Sequence, residues 1–308
     1  MLGCYLSAYS PLLDQRRLYD PEGNAVSTAG SLTEGLNEGM ALAVANKFPF
    51  KAFSGGPPIN LDTYLTIPKC SNADIDLGTI DLVATAACNG PGLYMNSFNG
   101  GRFSHQGRFR YFGTGTAAYY IAPSGPDPLY AQKIIQNANI QFGWLQLSTA
   151  VGQAVLIDPS QGSIMQNNIN YGTVQGWDGE ANLCVSGIYV ATVPDYTYGF
   201  NENHNVVNQV IGYSDAAVQI GVGVQTDLYI GDNDWLIESN PTGLPGQSPV
   251  MVKTYGSYDC FRGAHTIYTG ASPNSIVFQG SANHNRHQLR QDTSSGGIQN
   301  NGLSNVAF

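Results

Sequence analysis

The chain has 308 residues, of which 42% are hydrophobic and 11% charged, and its net charge is −9. Soluble domains usually carry about 25% charged residues, so Asn, Gln, Ser, Thr and Tyr must wet this surface. The apolar content is enough for a core and excludes wholesale disorder.

The charge is uneven. Residues 111–252 hold one basic residue, Lys133, against 11 acidic ones, whereas the first 110 hold 8 basic and 9 acidic residues. An acidic centre repels phosphate, which argues against sequence-specific nucleic-acid binding. The longest uncharged window, Ile134 to Ile157, is interrupted by six Asn and Gln residues, and a membrane span needs about 20 mostly apolar ones. No basic and apolar leader precedes Cys4, so no signal peptide is expected. Cys4, Cys70, Cys88, Cys184 and Cys260 form no C-x-x-C pair and read as small buried thiols of a protein made in the cytoplasm.

In chain order, residues 1–30 read as an N-terminal arm. Ser31-Leu32-Thr33-Glu34 then reads as a capping box that opens a helix. Leu36, Met40 and Val44 recur on one face, and Pro49 stops the helix. Leu61 to Ile67 alternates apolar with polar residues, as a strand does. Strands are also expected over 79–87, 117–122, 140–148, 152–157, 183–193, 205–213, 249–255, 265–269 and 274–279. A second short helix is expected from Asp127, with Ile134 and Ile135 facing inward. Val218 to Ile230 alternates strictly for thirteen residues, the pattern of a strand with one wet face and hence of an antiparallel sheet. No fixed-period repeat is visible.

Many strands, few helices and polar loops predict an all-β fold, an antiparallel β-sandwich or jelly roll. It is either one elaborated roll or two small ones, with parts over 31–158 and 159–280. Residues 281–308 read as a polar C-terminal arm. No cofactor is expected. Asp232, Asp234 and Glu238 are the one metal candidate, for calcium, which favours clustered oxygens.

Arg102, Arg108 and Arg110 stand among Phe103, Phe109, Tyr111 and Phe112. Arginine and aromatic residues are enriched in interface cores. Arg102, Arg108, Arg110, Phe109 and Tyr111, with the terminal Phe308, are therefore expected at a contact between copies of the chain. Trp177 and Trp235 are candidate platforms for stacking sugars.

Length, low charge, polar loops, a polar terminal arm and no export signal together resemble virion structural proteins, in particular jelly-roll capsid subunits of viruses and bacteriophages. The resemblance implies a self-assembling homo-oligomer in the virion that contacts other virion proteins and is not an enzyme. The alternative is a phage tail or spike protein that binds a receptor or glycan. A secreted hydrolase is the third reading.

Overall fold

The computed structural model describes residues 3–12, 15–123, 133–192, 198–221, 230–241, 244, 247, 249–265, 274–279, 282, 285–291, 297–300 and 306–307. From residue 65 onward the strands are parallel and stack rung upon rung. One face is built from Leu65–Ile67, Leu93–Met95, Ala117–Ile121, Val151–Ile157, Cys184–Val190, Ala216–Ile220, Val250–Thr254, Asn274–Phe278 and Gly297–Asn300. Nine strands at the ordinary inter-strand spacing make a column about 40 Å tall.

The second face stacks Cys70–Asp76, Phe98–Tyr111, Asn139–Leu147, Asn168–Asn170 with Thr173–Gln175, His204–Ile211, Asp234–Asn240, Cys260–His265, Arg286–Gln291 and Val306–Ala307. All of these pair in parallel with the rungs before and after them. Short strands at Ile134–Gln136, Ser163–Met165, Phe200–Asn201 and Ile230–Gly231 link the two faces. The chain is thus a parallel β-solenoid: each turn of chain cannot bury its apolar side alone and does so against its neighbours.

This overturns the antiparallel β-sandwich or jelly roll. Alternation of apolar and polar residues suggests an antiparallel sheet with one wet face. A parallel sheet wrapped around its own core alternates too, because every strand has one inward and one outward side. Residues such as Ile67, Met95, Ile121, Ile157, Val190 and Ile220 lie above one another inside the column, all fully buried.

One further expectation is corrected. Ile134 and Ile135 belong to a strand and not to a helix; residues 124–132 of that proposed helix lie outside the described residues, as do 222–229 of the long alternating run. The boundary near Asp158 falls on a single turn, Pro159–Gln161, between paired rungs. Within residues 281–308, Arg286–Gln291 pairs with Cys260–His265 as another rung.

The helix is Leu36–Asn46, and it sits over the first rung. Its capping box does not form. Gly35 occupies the N-cap with a left-handed backbone. Ser31 Oγ accepts from Gly35 N–H at 2.9 Å, and Thr33 Oγ1 from Asn37 N–H at 3.2 Å. Glu34 turns away to Arg16 and to Asn60 N–H. Asn37 covers the open edge of the first strand, donating to Tyr64 O and accepting from Thr66 N–H. That edge would otherwise be a template for unwanted pairing.

Between the short linking strands and the second face runs a buried amide ladder. Asn167, Asn203 and Asn233 each take the same corner in successive rungs, and the residue before each, Gln166, Glu202 and Asp232, is left-handed. Asn167 N–H and Nδ2 both donate to Asn203 Oδ1, at 3.1 and 3.0 Å, and Asn203 repeats this to Asn233 Oδ1. The spare Nδ2 hydrogens go to backbone carbonyls of Ile135, Ile164 and Phe200. The ladder continues through Asp259 to Asn285.

Candidate functional site

The second face is interrupted by a furrow. The paired register slips between His105 and Arg108 and again between Val207 and Val210, and at these bulges successive backbones nearly touch. A Cβ on Gly143 would lie 2.4 Å from Gly107 O, and one on Gly172 would lie 1.8 Å from Gly143 O. With no side chains there, the floor of the furrow is main chain.

Outward side chains form its two banks. Along one bank Gln141, Asn170, Val206 and Leu236 follow one another from rung to rung. Along the other run Arg108, Trp144, Thr173 and Gln209. Two hollows lie in the furrow. The first, about 300 Å³, is lined by Gln106, Gln141, Trp144, Asn170, Thr173 and Asn208. The second, about 550 Å³, is lined by Leu236, Glu238 and Ala264, and it shares Asn208 with the first. The furrow therefore runs along the column axis and crosses several rungs.

Trp144 is the platform of this site. Its side chain is 40% exposed although its strand is held on both sides. The Arg108 guanidinium lies 5.8 Å from its ring centroid, and Asp81 holds that guanidinium at 3.0 Å. The cation so placed fixes the indole plane. Gln106 Nε2 reaches Gln141 Oε1 at 3.4 Å across the first hollow. The site thus offers one flat apolar surface ringed by planar amides and a hydroxyl.

The residues singled out from sequence scatter. Arg102 is exposed and pairs with Asp74 at 2.9 Å and Asp76 at 3.7 Å of its own chain. Arg108 pairs with Asp81, and Arg110 is half-buried on the outer side. Phe109 and Tyr111 point into the core, fully buried, and offer no side-chain surface to a neighbour. Tyr111 instead donates to Gly90 O and accepts from Gly115 N–H. Phe308 lies outside the described residues.

Asp232, Asp234 and Glu238 do not converge. Asp232 is the left-handed corner residue, while Asp234 pairs with His204 at 2.9 Å and with Arg262. Glu238 lies four residues further along the strand, in the second hollow. No group of three or more His, Cys, Asp or Glu side chains positioned to hold a metal occurs among the described residues. No helix among them is long and apolar enough to cross a membrane.

Of the two tryptophans named as platforms, Trp235 is fully buried and stacks on Tyr171, with centroids 6.3 Å apart and planes 8° from parallel. Trp177 is half-buried. The exposed one, Trp144, was missed. Its position hid it: Trp144 shares the parity of the buried Ile140 and Phe142, and only the slip in register at Gly143 turns the indole outward.

No family model, no curated protein and no solved structure matches this chain.

Proposed function

We propose that the protein binds a linear saccharide lengthwise in the furrow, in the manner of the receptor- or glycan-binding tail or spike protein named above as the alternative. The observation that carries the new reading is Trp144, an exposed indole braced by Arg108 and flanked by amides over a main-chain floor.

Sugar rings present apolar C–H faces that stack on an indole, and hydroxyls that amides can both donate to and accept from. Side chains fixed on a paired sheet lose little freedom on binding, which favours affinity. The length of the furrow suits a chain rather than a single ring. Hydrolysis by the usual two-carboxylate route needs a partner carboxylate near Glu238, and the described lining residues supply none.

The test is an array of linear oligosaccharides, with neutral and carboxyl-bearing members, read with the intact protein and with Trp144→Ala. Retention of a subset by the intact protein, and at least tenfold weaker retention by the variant, is expected. Retention of no oligosaccharide, or equal retention by both proteins, overturns the reading.

A further inference from the structure

The ligand's charge class follows from an imbalance beside Trp144. Along the outer side of the second face most arginines are matched within the chain: Arg102 with Asp74 and Asp76, Arg108 with Asp81, Arg262 with Asp234. Arg110 is not. Among the described residues it makes no ion pair, and its buried Nε has no hydrogen-bond partner.

Its rung neighbours are uncharged. Val83 lies on one side and Gln146 on the other, and Gln175, Ile211 and Asn240 extend the same line. Asp81, the nearest carboxylate along the strand pairing, is held by Arg108. A half-buried guanidinium without a counter-charge is costly. Arg110 lies two residues from Arg108 on the same side of the strand, hence about 7 Å along it, and diagonal to Trp144, a separation that a long side chain spans.

Resting on the saccharide reading above, we propose that the furrow selects an acidic saccharide, whose sugar carboxylate docks on Arg110 while the adjoining ring stacks on Trp144. A guanidinium meets a carboxylate with two parallel N–H···O bonds, which gives both strength and orientation. The net charge of −9 opposes an anionic chain at long range. At physiological salt that field is screened beyond about 8 Å, so the local cation decides.

The array carries neutral gluco- and galacto-oligomers beside oligomers bearing glucuronate, galacturonate or sialate. Carboxyl-bearing members should be retained preferentially. The best-retained one is then compared with itself after reduction of its carboxyl groups to alcohols, against the intact protein, Arg110→Gln and Arg110→Lys. Reduction should weaken binding to the intact protein at least tenfold and leave Arg110→Gln unaffected, because both changes remove the same contact. Arg110→Lys should recover part of the loss, and unchanged thermal melting of the variants shows that folding is intact. Neutral members retained through Trp144, with no effect of Arg110→Gln, overturn this inference alone. If no member is retained at all, the saccharide reading falls and this one with it.

Discussion

Asn233 donates from both its backbone N–H and its Nδ2 to one oxygen of Asp259, at 2.9 and 3.0 Å, deep inside the column. The carboxyl stands where each preceding rung has an asparagine. An asparagine there would use Nδ2 to donate to the next Oδ1 and to carbonyls, as Asn233 does to Phe200 O and Gly231 O. Asp259 Oδ2 is buried and has no hydrogen-bond partner among the described residues. Only a protonated carboxyl can copy an amide at that position, since an ionised one has nothing to donate.

Burial, aided by nearby Asp232 and opposed by the two bonds from Asn233, pushes the Asp259 carboxyl up to about 7. Its value in the unfolded chain is about 4. Between those values the folded protein holds a proton that the unfolded chain has lost, so this stabilisation is full below about pH 4, declines as pH rises, and is gone above about pH 7. Its size is on the order of 4 kcal/mol at most. Other charges titrate in the same range, and comparison with Asp259→Asn isolates this one. Guanidinium unfolding at pH 4.5 and pH 8 should show the variant gaining over the parent at pH 8. A parent and variant with the same pH dependence would sink the argument.

Removing a central member of the ladder should be severe. Asn203→Ala strips the acceptor shared by Asn167 N–H and Nδ2 and removes the donor to Ile164 O. Each buried polar group left unpaired costs about 1–3 kcal/mol, so a loss of about 3 kcal/mol or more is expected in denaturant unfolding. Asn168→Ala, one residue beyond the ladder on the exposed outer side, is the control and should stay within about 0.5 kcal/mol.

Strands were legible one at a time and their assembly was not. The runs 117–122, 152–157 and 274–279 correspond to Ala117–Ile121, Val151–Ile157 and Asn274–Phe278, because alternation is a local property. The repeat that joins them is not local. Stacked residues are 36 apart from Ile121 to Ile157 but only 22 apart from Phe278 to Asn300, so no fixed period exists to be found. Asn167, Asn203 and Asn233, spaced 36 and 30 apart, are hidden in the sequence for the same reason. In the sequence Arg102 and Arg108 point to a neighbouring copy because their carboxylates, Asp74 and Asp76 for one and Asp81 for the other, become adjacent only after a full rung of chain.

The tryptophans divide the structural role from the functional one. Trp235 is fully buried between Tyr171 and Phe200, and Trp235→Ala should cost about 3–5 kcal/mol through the cavity it leaves. Trp144→Ala should change thermal stability far less. Comparable losses from the two would show that Trp144 is held for packing and would undercut its use as a platform.

The furrow floor makes the last prediction. Gly172 has φ +64°, and a Cβ there would meet Gly143 O at 1.8 Å and Phe142 O at 2.5 Å. Both atoms are main chain in a paired rung, so neither can move aside as a flexible side chain could. Gly172→Ala must therefore push two rungs apart as well as hold alanine in a left-handed backbone, which alone costs about 1 kcal/mol. A loss above about 2 kcal/mol is expected in unfolding experiments. Gly30, with φ +80° and open space around it, is the nearer control: Gly30→Ala carries a left-handed backbone strain without the collision. Should Gly172→Ala cost no more than Gly30→Ala, the rungs are not in close contact and the furrow does not have a main-chain floor.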